Sequence, residues 1–381
     1  MGPARRRRTG RGRGPRPARV GGAARAPLRA GPGRPPGRDP GHLLHRHRAA
    51  GRGLRRRTRR GRKGICARQR PTDHHERPIH ARSHHVPRPE RLPLTPTDEQ
   101  GIDETAYAAL VARLAAAGVD SIGALGSTGG YAYLTREQRA HTAKIAVEAA
   151  DGVPVIVGIG ALRTSHVREL AEDAQQAGAS GVLLAPMTYQ LLTEDEVFGL
   201  YEDVTRDLSV PLCVYDNPGT THVHFTDELH GRIAQLPNIG SIKIPGVPDD
   251  PREAELRVAA LRALIPDSVT IGVSGDWTAA RGLNAGCDAW YSVIGGTFPL
   301  TALALTRAAQ SGHAGPAVDL SEQLEPLWAL FRRHGSLRVI SAAASHLGLT
   351  GEPNLPLPLR GLDETARQEV VAALDTLGLT S

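Results

Sequence analysis

Lys243 is one of three lysines in a chain of 381 residues that otherwise carries its positive charge on arginine. It lies in the apolar run Ile239-Gly240-Ser241-Ile242-Lys243-Ile244-Pro245, which reads as a short buried strand stopped by proline. A lysine can lose its proton and condense with a carbonyl; an arginine does neither. On strand position alone, a lysine whose stem packs while its head reaches water is the commoner arrangement. Three other segments give Lys243 company: Gly126-Ser127-Thr128-Gly129-Gly130, Tyr215-Asp216-Asn217-Pro218 and Ser274-Gly275-Asp276. Each has an ordinary reading, as a glycine loop, a half-buried phenol, and a helix N-cap in Asp276. Together they suit imine formation with a 2-oxo acid. A neutral amine, which burial favours, attacks the ketone; the protonated imine then draws electrons, and a carbanion forms at the next carbon. Tyr215 can shuttle the proton. Ser127, Thr128 and the amides of their loop can hold the carboxylate.

These residues can act together only if one scaffold brings them to one place. The chain alternates strand and helix from about residue 103. Apolar strands are expected at Ser121–Leu125, Val153–Val157, Gly181–Ala185, Val210–Tyr215, Ile239–Lys243, Ser268–Val273 and Ala289–Val293. Helices are expected between them, with Thr135, Thr164, Thr193 and Thr226 near the starts and Gly118 and Gly178 as stops. Several strands are apolar on both faces and each is followed by a helix, the pattern of a parallel sheet. Seven units are legible after residue 118. One more strand before Asp103 makes eight, a (β/α)8 TIM barrel, with further helices near 315–331, 335–347 and 363–377 as a C-terminal helical extension. A doubly wound open sheet is the alternative, and the first strand–helix turn lacks the Gly-x-Gly-x-x-Gly of a dinucleotide fold. In a barrel, every segment singled out above sits at the C-terminal mouth.

On these motifs, in this order and at these separations, the chain from about 94 to 377 resembles the dihydrodipicolinate synthase/N-acetylneuraminate lyase family of class I aldolases. The resemblance rests on Gly126-Ser127-Thr128-Gly129, Tyr215-Asp216-Asn217-Pro218, Gly240-Ser241-Ile242-Lys243 and Ser274-Gly275-Asp276. It implies that Lys243 forms a Schiff base with pyruvate or a related 2-oxo acid. It implies that Tyr215 relays protons and that Ser127 and Thr128, flanked by Gly126 and Gly129, bind the carboxylate. It implies no cofactor, no metal, and a dimer or tetramer of identical chains. Three departures stand out: Gly130 replaces the family's glutamate, Gly219-Thr220-Thr221 lacks the arginine that synthases place after the tyrosine motif, and Tyr189 is displaced within Pro186-Met187-Thr188-Tyr189. They favour a lyase, aldolase or dehydratase on another 2-oxo acid over the synthase of lysine biosynthesis. A non-catalytic barrel that binds a 2-oxo acid is a further reading.

Composition divides the chain. Residues 1–90 hold 27 of the 47 Lys and Arg and four of the 39 acids, a net charge of +23 that leaves −15 on the rest. That segment has no Phe, Tyr or Trp and cannot bury enough apolar surface to offset chain entropy, so disorder is expected over 1–90. The barrel is expected over 91–312 and the helical extension over 313–381. A basic arm for nucleic acid is disfavoured because no aromatics interleave to stack bases. Three cysteines without disulfide or zinc spacing fit a reducing cytoplasm, and no apolar run reaches the length of a membrane span. Arg, Gly, Pro, Ala and His are what GC-rich DNA encodes when read upstream of a start or out of frame. Val86–Pro93 carries Pro87, Pro89 and Pro93 among Arg88, Glu90 and Arg91, which is unfit for a central strand and predicts a gapped, weakly stable barrel. Peptide mapping of the native protein is expected to find no tryptic peptide from residues 1–85.

Overall fold

Eight parallel strands pair in chain order in the computed structural model, which describes residues 90–379. They are β1 (Glu90–Arg91), β2 (Ser121–Ala124), β3 (Val155–Gly158), β4 (Gly181–Leu184), β5 (Leu212–Tyr215), β6 (Ile239–Ile244), β7 (Thr270–Val273) and β8 (Ala289–Trp290). Arg91 bridges Ser292 in parallel, and the Leu92 amide donates to the Ser292 carbonyl at 3.0 Å. The sheet thus closes into the expected TIM barrel. The segment expected to be disordered lies, but for its last residue, outside the described residues.

The return helices are α1 (Glu104–Ala116), α2 (Arg136–Ala149), α3 (Thr164–Gln176), α4 (Glu194–Thr205), α5 (Pro218–Thr221), α6 (Asp227–Ala234), α7 (Pro251–Arg262), α8 (Ala279–Asn284) and α9 (Pro299–Gln310). Capping boxes start two of them: Thr135 with Gln138 at α2, and Thr193 with Glu196 at α4. Each pair satisfies two otherwise orphaned backbone donors reciprocally, about 1 kcal/mol per cap. Four more helices follow: α10 (Ala314–Gln323), α11 (Glu325–His334), α12 (Ser336–His346) and α13 (Glu364–Leu377). Among the described residues, no helix is long and apolar enough to cross a membrane.

Strand alternation splits the buried residues into two layers. Ile122, Val157, Val182, Val214, Ile242, Ile271 and Trp290 pack outward against the helices. Leu92, Ile156, Leu183, Cys213, Tyr215 and Tyr291 form a separate cluster in the barrel interior. Ser241 and Lys243 share this inner face of β6, and register pairs them with Thr270 and Gly272 on β7. The layer assignment decides which side chains can reach substrate.

The expectation of a gapped barrel is corrected. Glu90 and Arg91 pair with Ser121 and Ile122, which places a two-residue strand between Pro89 and Pro93. Neither residue of β1 is a proline, so the ladder loses no donor within it. Leu92 keeps an inner position, but Arg91 is forced into the apolar outer layer with no exposed surface. Its guanidinium lies 5.5 Å from the Trp290 ring and donates from Nη2 to Thr306 Oγ1 at 3.3 Å, while Nε and Nη1 have no hydrogen-bond partner. Burial pulls this guanidinium down to about 10, against the pull of Asp120 and Asp276. Closure is therefore achieved at the expense of a desolvated, half-satisfied cation. Arg91→Leu is expected to raise the urea unfolding midpoint, with a gain of about 1–3 kcal/mol; a lower midpoint would show that the guanidinium contributes net stability.

Candidate active site

Lys243 is 2% exposed, and its Nζ lies 3.8 Å from the centroid of the Tyr215 ring and 5.1 Å from that of Tyr291. Tyr215 is its register neighbour on β5, so the lysine–tyrosine contact follows from strand pairing alone. The Tyr215 hydroxyl receives a hydrogen bond from Asn217 Nδ2 at 3.0 Å and meets Ser127 Oγ at 3.4 Å. Lys243, Tyr215 and Ser127 thus form a continuous set at the C-terminal end of β2, β5 and β6. Thr128 is buried in the same loop as Ser127.

The loop after β2 is shaped by close backbone approach. Leu125 takes a positive φ of 56°, a conformation that costs a non-glycine residue about 1 kcal/mol or more. The turn swings its carbonyl onto β3, where a Cβ on Gly158 would overlap it, so only glycine fits at that position. A Cβ on Gly126 would press on Leu92, and one on Gly129 would press on the Leu125 backbone and on Thr95. The Gly130 amide donates to the Ser127 carbonyl at 3.1 Å and closes the turn. Tyr131 follows directly; its ring packs 5.1 Å from the guanidinium of Arg139, which donates to the Gly158 and Gly160 carbonyls at 2.9 Å each. Burial pushes the Tyr131 phenol up to about 12, helped by neighbouring Tyr215, and pulls Arg139 down to about 10.

Asp276 neither caps a helix nor joins the set around Lys243. Its buried carboxylate accepts from Trp290 Nε1 at 3.1 Å and from the amides of Val293 at 3.1 Å and Ile294 at 2.6 Å. Burial raises this carboxyl and the three hydrogen bonds oppose the rise. Its task is to fix the segment after β8, where Tyr291 sits. The Tyr291 hydroxyl lies 2.8 Å from Ser241 Oγ and 2.9 Å from Cys213 Sγ. Tyr189 is 90% exposed and Leu191 86% exposed on the loop after β4, away from the lysine's contacts. Where synthases carry an arginine, Gly219, Thr220 and Thr221 wind into the short α5. Beneath it, Asp216 Oδ2 lies 3.5 Å from Nε2 of fully buried His230 on α6, and Phe225 stacks on that imidazole at 5.0 Å.

Sequence reasoning singled out Lys243, Tyr215, Ser127, Thr128, Gly126 and Gly129; it met Asn217 and Asp276 only within motifs and did not reach Tyr291, Tyr131, Arg139 or His230. Arg139 left a signal: it falls with Thr142, Ala143 and Ala146 on the buried face of α2, where an unpaired cation is not expected. Tyr291 left only an aromatic pair, Trp290-Tyr291, inside the strand expected at Ala289–Val293.

The dihydrodipicolinate synthetase family model matches residues 91–377. A 4-hydroxy-tetrahydrodipicolinate synthase of Phenylobacterium zucineum is 30% identical over 288 residues, 75% of this chain and 95% of that protein. The crystal structure of a dihydrodipicolinate synthase from Agrobacterium tumefaciens is 45% identical, covers 78% of this chain and 99% of its own, and superposes with a TM-score of 0.75. That of the chloride-inhibited dihydrodipicolinate synthase from Acinetobacter baumannii, complexed with pyruvate, is 25% identical, with 77% and 99% covered and a TM-score of 0.71.

The Asp216–His230 pair yields opposed pH terms. Burial pushes the Asp216 carboxyl up to about 7 and the His230 imidazole down to about 4. The folded state therefore holds a proton on Asp216 that the unfolded chain has lost, a contribution present below about pH 4 and lost as pH rises to 7. His230 is neutral when folded and charged when unfolded below about 6.5, so its contribution is lost as pH falls from 6.5 to 4. Relative to the parent, Asp216→Asn should lose stability between pH 7 and 5, and His230→Phe should gain it, each by roughly 2 kcal/mol. Urea unfolding at the two pH values reads both signs.

Proposed function

The chain belongs to the dihydrodipicolinate synthetase family, and from that premise we propose that it is a Schiff-base lyase or aldolase acting on pyruvate or a related 2-oxo acid, with Lys243 as the imine-forming amine. The observation that carries the reading is the buried Lys243 amine 3.8 Å from the Tyr215 ring, with the Tyr215 hydroxyl 3.4 Å from Ser127. The family consists of class I lyases and aldolases, so a lone lysine at this strand end has a chemistry ready for it.

The steps follow from the groups present. The amine of Lys243 adds to the ketone carbon, giving a carbinolamine; loss of water leaves a protonated imine. That cation accepts the electron pair released when a bond at the adjacent carbon breaks, either C–H on the way to condensation or C–C in cleavage. Tyr215 carries the proton to the carbinolamine hydroxyl and later to or from the substrate; Asn217 holds the phenol from one side and Ser127 from the other. Ser127, Thr128, Gly126 and Gly129 form the turn that receives the carboxylate. Gly126 and Gly129 serve by lacking a Cβ, since one at either position would press on its neighbours.

The second partner of the reaction is narrowed by α5. No guanidinium is supplied by Gly219-Thr220-Thr221, so a second substrate bound through a carboxylate has no arginine there. This favours cleavage or dehydration of a hydroxylated 2-oxo acid. The synthase reaction is the second reading, favoured by the name of the Phenylobacterium relative. We further propose a homo-oligomer, dimer or tetramer, in which the exposed Tyr189 and Leu191 would be covered, and a cytoplasmic setting that suits the buried thiols Cys213 and Cys287.

Borohydride reduction in the presence of pyruvate, followed by mass spectrometry, is expected to place a reduced adduct on Lys243 and none on the Lys243→Ala variant. Tyr215→Phe should lower kcat about 10²–10⁴-fold. Ser127→Ala should raise the pyruvate KM about tenfold, the loss of one hydrogen bond to a charged group. A panel of 2-oxo acids without any adduct on Lys243 would sink the reading.

A further inference from the structure

We infer that Tyr291 is a positioning residue for the imine, its ring serving as a second aromatic face that stabilises the cation formed on Lys243. The inference rests on the Schiff-base reading above and goes beyond it, because none of the motifs that define the family resemblance contains Tyr291.

Four independent features bear on this residue. Its ring centroid is 5.1 Å from Lys243 Nζ, inside the range where a cation and an aromatic face attract. Its hydroxyl is tied at 2.8 Å to Ser241 and at 2.9 Å to Cys213, so a side chain that leaves the sheet after β8 is anchored on β6 and β5. Ser241 is two residues before Lys243 on the same inner face, so ring and amine are referenced to one strand. Gly272, the register partner of Lys243 on β7, is the only residue that leaves room for the ring, since a Cβ there would overlap its Cδ2 and Cε2. The space beside the lysine that a β7 side chain would fill is thus given to the tyrosine. A ring held only for packing would need none of the hydroxyl anchoring; a phenol tied on two strands keeps its face in one place.

The chemistry gives the face a use. The amine is neutral when it attacks, but the imine that follows is a cation in a site that water does not reach freely. An aromatic face at this depth is worth up to about 2 kcal/mol to a desolvated cation. It favours the protonated imine over free amine and ketone, so it acts on the imine equilibrium and not on carboxylate binding.

The test is a titration of borohydride trapping with pyruvate on the full chain, with the thermal midpoint recorded for every variant. In Tyr291→Leu the pyruvate concentration for half-maximal trapping on Lys243 should rise about tenfold, while Tyr291→Phe, which keeps the face, should stay within about threefold. Equal trapping by Tyr291→Leu and the parent would overturn the inference, as would a Phe variant as impaired as the Leu one. Should the Leu variant fail to fold, phenylalanine carrying zero to three ring fluorines at position 291 keeps the shape while draining the face of negative potential. Half-maximal pyruvate should then climb with each fluorine, and a flat series would overturn the inference. A parent enzyme that forms no adduct sinks the imine reading and this inference together; a parent that traps, with flat variants, sinks the inference alone.

Discussion

Everything at the mouth of this barrel depends on keeping one amine out of water without leaving it stranded. Removing a charged ammonium from solvent costs several kcal/mol, so a buried lysine head needs partners that make up for lost water. The surroundings reconcile the two demands with aromatic faces. Tyr215 and Tyr291 both lie within reach of Nζ. Phenols suit the proposed imine chemistry, and Asn217, Ser241 and Cys213 hold them in place.

The fold was legible because parallel strands buried on both faces write continuous apolar runs, and because threonine caps and glycine stops punctuate the helices between them. Boundaries came within one or two residues for β2, β4 and β6. The last strand was read too long: β8 is Ala289–Trp290, and Ser292 beyond it makes an isolated bridge to Arg91. The first was rejected because three prolines crowd it, yet two residues between prolines suffice when the neighbouring strand supplies the register. Helix α5 was invisible, because Pro218-Gly219-Thr220-Thr221 has no apolar periodicity and reads as loop.

The site was legible in part for a different reason. Lysine, tyrosine and a glycine–hydroxyl loop advertise chemistry by residue type, and the barrel rule places them at one end. What the sequence could not carry is contact across the interior. Nothing in Cys213, Ser241 and Tyr291, spaced tens of residues apart, says that they meet. The meeting requires Gly272, whose meaning is an absence of side chain at a register position. The role of Asp276 was not legible for the same reason: its amide partners at Val293 and Ile294 lie beyond the next helix and strand.

The Leu92–Ser292 closure has one more consequence. It makes β1 and β8 a seam, and the two halves of the site stand at unequal distances from it. The carboxylate turn leans on residues just past β1, with Gly126 against Leu92 and Gly129 against Thr95. Lys243 and Tyr215 sit on strands across the ring, coupled to each other by register, and they reach the seam through Tyr291 and, by way of the Tyr215 hydroxyl, through Ser127. On the proposed reading, a change in the opening strand bears first on the turn that grips the acid, and on the amine through Ser127 and Tyr291.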